Sequence, residues 1–358
     1  MTSSQTYSPQ QLIELKQALR EEAAQLGLHQ LAITTATPAD SLAAYEHWIE
    51  QGYHGEMGYL ARPDRLDRRR DLNVILPGVQ RLIIFTLPYW PGTFPDEQQD
   101  PMRGAISCYA WGRDYHKILG KKLKTLSRWL EEHGDTTRWY VDTGAIQERD
   151  LAERAGLGFT GKHTLLIQPQ YGSGFFLGEI LSSLPFPLDT PSHMPSCGTC
   201  SRCLTACPTD AFVAPYILDA RKCISYLTIE LKGSIPVELR PLIGNRIYGC
   251  DVCQQVCPWM RFADADESPL WGSPPEEVTA PKLIELLELD EEGFQRRFEG
   301  SPIRRLKRGR LLRNVAVALG NTGSTEAIEP LNQACEDDDP LVREHAQWAL
   351  TQLQAQPA

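Results

Sequence analysis

The sequence predicts an α/β amino-terminal domain, a compact cysteine-rich module and an α-helical carboxy-terminal domain. Three observations predict this organisation. Helix-like and strand-like segments alternate up to about residue 190, eight of the ten cysteines lie between residues 197 and 257, and alanine-rich helical patterns follow. A chain of 358 residues exceeds the usual size of a single core. We therefore expect three domains, over residues 1–190, 191–265 and 266–358.

The first domain is predicted from the periodicity of its apolar residues. Such alternation of helices and strands is typical of α/β architecture. The predicted helices cover residues 11–25, 41–51, 116–132 and 147–155. The predicted strands cover residues 31–34, 81–87, 138–142, 163–167 and 175–182. A proline-rich stretch over residues 185–195 is a linker signal.

The cysteine spacing predicts two 4Fe-4S clusters. The run C-x2-C-x2-C-x3-C-P has the bacterial ferredoxin spacing, in which the fourth thiolate reaches the other cluster. The second run is one cysteine short, and Cys223 is the natural substitute. We assign one cluster to Cys197, Cys200, Cys203 and Cys257, and its neighbour to Cys207, Cys223, Cys250 and Cys253. The alternatives are zinc sites, which also use C-x2-C pairs, and disulfides.

Charge and hydropathy narrow the class of protein. The chain carries a net charge of −10 and a mean hydropathy of −0.34, and no stretch has the roughly 18 consecutive apolar residues of a membrane span. Residues 1–25 lack the basic start and apolar run of a signal peptide, so we expect a cytoplasmic protein without disulfides. No glycine-rich fingerprint of a nicotinamide or phosphate site is present.

The carboxy-terminal domain begins with a basic segment. Residues 304–313 read RRLKRGRLLR, six cations without a carboxylate, and such a patch can meet phosphate even on an acidic protein. A weak repeat follows, since Arg313-x2-Ala316 recurs as Arg343-x2-Ala346. The pattern resembles a pair of HEAT-like repeats, and a simple terminal bundle fits it equally well.

Asp142 is the candidate acid. It stands where an apolar strand is predicted to end, immediately before Thr143 and Gly144. Ligands bind at such strand ends in open α/β folds, and partial burial raises the pKa of a carboxyl group. The alternative is an N-cap for the helix predicted to start near Gln147.

Several long strings resemble the epoxyqueuosine reductase family. They are VDTGAIQERDLAERAGLGFTGKHTLLI (141–167), FFLGEI (175–180), the cysteine module and CISYLTIELKGSIPVELRPLIGNRIYGCDVCQQVCPW (223–259). SCYAWGRDYHK (107–117) and the trailing helices fit the same family, so the resemblance covers essentially the whole chain. It implies a cobalamin-dependent iron–sulfur enzyme that removes the epoxide oxygen of epoxyqueuosine at the wobble position of tRNA, the last step of queuosine synthesis.

The resemblance also implies roles for individual residues. Asp142 maps onto the family's proton donor, and the first domain is the cobalamin-binding one. Candidate pocket residues are Arg69, Cys108, Asp142, His163 and Ser225; the alternatives for these are a surface charge, a core thiol, an N-cap, a structural histidine and a helix-start residue respectively. The string Asp114-Tyr115-His116 departs from the D-x-H-x-x-G cobalt-ligand motif, so we do not assign His116 as a ligand.

The expected partners are tRNA and a small redox protein that delivers electrons, and we expect a monomer that does not engage a membrane. The residues proposed to contact RNA are a loop and the basic segment: Lys232, Gly233, Ser234, Arg304, Arg305, Lys307, Arg308 and Arg310. The competing hypotheses are a reductive dehalogenase-type enzyme acting on a small molecule, a ferredoxin-like carrier, and a structural RNA-binding protein.

Overall fold

The computed structural model describes residues 7–28, 30–189, 194–263 and 274–355. Residues 190–193 of the predicted linker and 264–273 of the connector after the cysteine module lie outside this description. None of the helices in the described part of the chain combines the length and the apolar run needed to cross a membrane.

Helices and strands alternate through the amino-terminal region, as the sequence predicts. The helices are α1 (Pro9–Gln25), α2 (Leu42–Glu50), α3 (Pro63–Arg70), α4 (Tyr115–Glu132) and α5 (Glu148–Arg154). The strands are β1 (Gln30–Thr35), β2 (Arg81–Pro88), β3 (Ala105–Ile106), β4 (Thr137–Tyr140), β5 (Phe159–Thr160), β6 (Leu166–Ile167) and β7 (Phe175–Ser182). Two predicted strands are shorter than expected: 138–142 ends at Tyr140, and 163–167 keeps only its last two residues.

The central sheet has the strand order β1-β2-β7-β4, and each of these pairings is antiparallel. Its two faces are both covered, because successive side chains of a strand point to opposite sides. Ile83 and Phe85 of β2 pack with α1 and α4 on one side, whereas Leu82 and Ile84 pack with α5 on the other. Asp142 therefore follows an edge strand of an antiparallel sheet, rather than the carboxyl end of a parallel one.

The cysteine module joins the first region through a strand. Its elements are α6 (Arg202–Ala206), β8 (Phe212–Ala214), β9 (Ile217–Leu218), α7 (Ile224–Ile229), α8 (Arg240–Ile243), β10 (Arg246–Tyr248) and α9 (Val252–Gln255). Strand β10 pairs in parallel with β3, and Ile247 and Tyr248 belong to the same buried cluster as β2. The core is therefore continuous across the expected boundary near residue 190.

The carboxy-terminal region is helical, as expected. Its helices are α10 (Glu276–Thr279), α11 (Leu283–Leu287), α12 (Glu291–Arg297), α13 (Arg308–Gly320), α14 (Ile328–Ala334) and α15 (Pro340–Ala355). Helix α13 is buried along most of its length and packs on α15. The two helices approach closely at Gly320, because a side chain there would collide with Ala349. Ala316 and Ala346, which mark the weak repeat, are both buried.

The repeat positions Arg313 and Arg343 differ sharply in environment. Arg313 is fully buried and donates to the main-chain oxygens of Leu227, Leu231 and Gly233. Arg343 is exposed and donates to main-chain oxygens next to its own helix. The same residue type therefore serves a tertiary contact in one helix and a local one in the other.

We predict that Arg313→Met lowers the free energy of unfolding by about 3 kcal/mol or more, because each buried carbonyl left without a donor costs about 1–3 kcal/mol. Arg343→Met is the matched control and should change it by less than about 0.5 kcal/mol, as surface substitutions usually do. Urea unfolding followed by far-ultraviolet circular dichroism measures both values. Equal effects of the two substitutions would contradict the structural role of Arg313.

Candidate active site

Four of the cysteine thiols surround one cavity. Cys197, Cys200, Cys203 and Cys257 line a space of about 190 Å³ together with His163. The thiols come from the loop before α6, from α6 itself and from the turn after α9. The grouping is the one predicted from the sequence for the first cluster, with Cys257 reaching across from the second run.

The remaining four thiols lie near one another. Burial, and next the charges of Cys250 and Cys223, raise the pKa of the Cys253 thiol. Burial raises the pKa of Cys250 to about 12, and Cys223 adds to that rise. Cys223 in turn responds to the charge of Cys207. These interactions join the four cysteines into a second group beside the first.

The described residues include no compact ligand set for a single metal ion. In a 4Fe-4S cluster each cysteine binds a different iron atom, so the four ligands lie farther apart than the ligands of one ion. Among the residues that the structure describes, no three His, Cys, Asp or Glu side chains are close enough to hold a single metal ion.

His163 contributes an unpaired donor to the cysteine-lined cavity. The residue is only 3% exposed, and burial, followed by the charge of Arg149, lowers its pKa to about 4. The neutral ring accepts a hydrogen bond at Nδ1 from the main-chain N–H of Leu165, so its proton is assigned to Nε2. That Nε2 atom has no partner among the described residues.

Asp142 occupies a special backbone position. Its φ angle is 55°, in the left-handed region that non-glycine residues seldom adopt. It is not an N-cap, since α5 begins after Gln147 and the Asp142 main-chain N–H donates to Glu148 Oε1 over 3.1 Å. The Asp142 side chain is 64% exposed, and its Oδ2 accepts a 2.7 Å hydrogen bond from the hydroxyl group of Tyr115.

A polar chain of three further residues approaches Asp142. His116 Nε2 lies 3.8 Å from Asp142 Oδ2, and His116 Nδ1 lies 2.8 Å from Asp114 Oδ1. Arg305, from the carboxy-terminal region, donates to Asp114 Oδ2 over 2.6 Å and lies 3.2 Å from His116 Nε2. Burial opposes ionisation of Asp114, but its hydrogen bond with His116 and the charge of Arg305 outweigh burial and lower its pKa.

Two further carboxyl groups, one buried and one partly buried, lie close to Asp142. Glu179 in β7 is 1% exposed, and Glu148 begins α5. Burial, and next the charge of Asp142, raise the pKa of Glu148 to about 7, and burial and Glu148 raise that of Glu179. Sequence reasoning missed both glutamates and Tyr115. The available signal for Glu179 was one charge inside an otherwise apolar run.

Aromatic and basic residues lie around Asp142, and the surface that they form with it is called the Asp142 cleft. Burial, and then the charges of Glu230 and Asp142, raise the pKa of Tyr59 to about 12. Arg65 donates to the main-chain oxygen of Thr143, and Arg69 lies 4.7 Å from the ring centre of Tyr45. Acidic, basic and aromatic groups from α3, α4 and the loop after β4 therefore face one space.

The residues predicted to bind a cofactor do not all lie near Asp142. Arg69 is buried, and its Nε atom has no partner among the described residues, which corrects its interpretation as a surface charge. Cys108 is fully enclosed and its main-chain N–H donates to Asp251, so its side chain does not reach the cleft. Ser225 is half-buried in the first turn of α7, and His163 lines the cluster cavity instead of the Asp142 cleft.

Many of the residues predicted to contact RNA already have protein partners. Arg308 pairs with Asp337, and Arg310 donates to the main-chain oxygen of Ile229. Others also make contacts: Arg304 with Gln295, Ser234 with Glu344, and the Gly233 carbonyl with Arg313. Lys232 and Lys307 expose their side chains.

Comparison with known protein families agrees with this site. Residues 196–260 match the family described as a 4Fe-4S double cluster binding domain, and residues 69–143 match "Epoxyqueuosine reductase QueG, DUF1730". The double-cluster domain and the cysteine groups define an iron–sulfur protein.

Relatives that align with nearly the whole chain identify the family. The chain is 44% identical to epoxyqueuosine reductase of Escherichia coli over 96% of this chain and 91% of the relative. It is also 44% identical to that of Pseudomonas aeruginosa, over 96% of both chains. The chain belongs to the epoxyqueuosine reductase family.

Solved structures agree. An epoxyqueuosine reductase with an epoxyqueuosine-modified tRNA stem loop has a TM-score of 0.87 at 34% identity, covering 96% of this chain and 91% of that one. A structure of the Bacillus subtilis enzyme, with its catalytic aspartate loop swung out of the active site, has a TM-score of 0.86 at 33% identity over the same shares. A reductive dehalogenase is far less similar, with a TM-score of 0.47 and 15% identity.

Proposed function

We propose that this chain reduces epoxyqueuosine to queuosine at the wobble position of tRNA. The observation that carries the proposal is the exposed carboxyl group of Asp142 among basic side chains, in a chain that also holds two cysteine groups and is 44% identical to epoxyqueuosine reductases. The reaction consumes two electrons and two protons, breaks both carbon–oxygen bonds of the epoxide and releases the oxygen as water.

The two cysteine groups are proposed to hold two 4Fe-4S clusters. One cluster would be bound by Cys197, Cys200, Cys203 and Cys257. The other would be bound by Cys207, Cys223, Cys250 and Cys253. The clusters would pass electrons one at a time from a small redox protein. His163 fits the first cluster, since its unpaired Nε2–H in the thiol-lined cavity can donate to sulfur. A cytoplasmic location, where tRNA is available, is part of the proposal, as is the monomeric state.

Cobalamin is proposed as the second cofactor. Arg69 supports it, because a buried guanidinium Nε–H without a partner needs an acceptor, which polar groups of cobalamin can supply. Asp142 and Ser225 are proposed to line the same site, whereas the complete enclosure of Cys108 argues against its contact with the cofactor. When bound, cobalamin supplies a strongly reducing cobalt centre.

Asp142 is proposed to be the proton donor. Its carboxyl group is exposed to the cleft, and Tyr115 fixes its orientation through Oδ2, leaving Oδ1 free to hold and deliver a proton to the epoxide oxygen. His116 Nε2 lies 3.8 Å from Asp142 Oδ2, and Asp114 orients the histidine ring. The basic residues of the cleft would counter the negative charge of the RNA.

Lys232 and Lys307 are proposed as the main RNA-contacting cations, because their side chains are exposed. Arg304, Arg305, Arg308 and Arg310 position the surrounding surface through their protein contacts and are proposed to contribute to its positive potential. Gly233 and Ser234 shape the loop that presents Lys232.

The proposed acid is tested with Asp142→Asn. We expect intact clusters and unchanged tRNA affinity, but a rate of epoxide reduction about 10² to 10⁴ times lower, because an amide cannot deliver the proton. Asparagine adopts the left-handed backbone region readily, so the substitution leaves the loop conformation accessible. Single-turnover reduction of epoxyqueuosine-containing tRNA stem loop is the measurement. A rate near that of the unmodified protein would refute the assignment.

The cluster ligands are tested separately. Cys203→Ala and Cys253→Ala should each lower the iron content from about eight to about four atoms per chain, since each removes a ligand from a different cluster. Electron paramagnetic resonance of the reduced proteins should show one cluster in each. Cys335→Ala, at a thiol outside both groups, is the control and should retain both clusters. Two intact clusters in Cys203→Ala and Cys253→Ala would contradict the ligand sets.

The RNA surface is tested with Lys307→Glu. We expect weaker tRNA binding and a salt dependence whose logarithmic slope falls by about 1, as for the loss of one phosphate contact. Lys124→Glu makes the same charge change on an exposed position of α4 and should have a much smaller effect. Binding by Lys307→Glu that is unchanged at low salt would remove this residue from the RNA site.

A further inference from the structure

Glu179 presents an unusual buried acid within the central sheet. It lies in β7 between Ile84 of β2 and Tyr140 of β4, and only 1% of its surface is exposed. Neither of its carboxyl oxygens receives a hydrogen bond from an N–H or O–H group of the described residues. An ionised carboxylate in such a position would be very unfavourable, so it must find a proton or a donor.

The group that faces Glu179 is another carboxyl. Helix α5, which begins with Glu148, contacts β7, and the Glu148 and Glu179 side chains act on each other, although both are acceptors when ionised. A hydrogen bond between them therefore requires a shared proton. Glu148 Oε1 also accepts from the main-chain N–H of Asp142, over 3.1 Å. One continuous chain then runs from Glu179 through Glu148 to the backbone of Asp142.

The Asp142 backbone needs such a contact. A non-glycine residue with φ of 55° is strained unless surrounding groups hold it. The hydroxyl group of Tyr115 holds its side chain, and Glu148 is the group that holds its main-chain N–H. If Glu148 moved, the backbone at Asp142 would be free to relax and the carboxyl group would leave Tyr115.

We propose that Glu148 and Glu179 share one proton, and that this shared proton keeps Glu148 in place to hold Asp142 where it can act. The inference deepens the proposed function and rests on it, because it assigns Glu148 and Glu179 as positioning residues for the proposed acid. Neither glutamate is proposed to touch the substrate.

The proposal predicts how activity changes with pH. The charged and titratable groups acting on Glu148 are Asp142, Glu179, Arg149, Arg69 and Tyr115, and those acting on Glu179 are Glu148 and Asp142. Below the pKa of the shared proton, one carboxyl is neutral and the chain of hydrogen bonds is intact. As pH rises through that pKa, two ionised carboxylates face each other beside Asp142 and repel. Activity should then fall on the alkaline side.

Glu179→Gln separates this role from a merely structural one. The amide NH₂ of glutamine donates to Glu148 at every pH, so the variant should lose the alkaline fall in single-turnover rate, while its rate at neutral pH stays within about threefold. Glu148→Ala removes the contact with Asp142 and should lower the rate at least tenfold at every pH. Glu153→Gln, five residues along α5 from Glu148, is the matched control and should keep the original pH profile.

A second measurement does not depend on activity or on any cofactor. Infrared spectroscopy of the protein should reveal the carbonyl band of a protonated carboxylic acid at neutral pH, titrating on the alkaline side. The band should be absent from Glu179→Gln and from Glu148→Gln, and present in Glu153→Gln. Glu148→Gln serves if Glu179→Gln fails to fold, because its amide also removes the need for a shared proton.

The results that overturn the inference are distinct from those that overturn the proposed function. An infrared band that persists in both glutamine variants, or an alkaline fall that Glu179→Gln retains, would refute the shared proton while leaving Asp142 as the acid. Full activity of Asp142→Asn would refute the acid itself, whatever the infrared band does.

Discussion

The arrangement of the three regions depends on how helix α13 caps helix α7. The last carbonyl groups of a helix lack partners within it and need donors from elsewhere. Here those of Leu227, Thr228 and Ile229 accept hydrogen bonds from Arg313, Asn314 and Arg310 respectively. All five N–H groups of the Arg313 guanidinium meet oxygen atoms, three of them main-chain carbonyls and two the side-chain oxygen of Asn314, so the fully buried cation is solvated by protein dipoles.

The contact between α13 and α7 affects the surroundings of a proposed cluster ligand and of Asp142. Cys223, a proposed cluster ligand, is the N-cap of helix α7, so α13 fixes the opposite end of the helix that follows this ligand. The segment leading into α13 carries Arg305, which reaches Asp114 and His116 at the start of α4. The carboxy-terminal helices therefore help to shape the Asp142 cleft, in addition to any contact with RNA. A basic segment that looks like a free binding surface in the sequence is largely occupied by internal contacts.

Local pattern predicted the elements well and the tertiary contacts poorly. Strand β7 has the predicted bounds, and helix α4 starts one residue earlier than predicted. Both predictions succeeded because the pattern of apolar residues continues over many positions in each element. The cysteine grouping was also accessible, since spacing and proline position carry it. The contacts of Arg305 with His116 and of Tyr115 with Asp142 were not, because they join residues 189 and 27 positions apart. The antiparallel pairing of the sheet was likewise hidden, since alternation of helices and strands does not fix strand direction.

The charges around Asp142 are of both signs. Burial, and next the charge of a neighbouring carboxyl group, raises the pKa values of Glu148, Glu179 and Glu230, which favours the neutral forms of these three glutamates. The same surroundings contain Arg65, Arg69 and Arg310. The arginines keep their positive charges, whereas the raised pKa values leave some of the glutamates protonated and neutral. The local charge is therefore less negative than the sequence total of −10 indicates. Burial of the glutamates, and not removal of acidic residues, lowers the negative charge beside the exposed Asp142, which suits the proposed roles of Asp142 as proton donor and of the nearby arginines in countering the charge of the RNA.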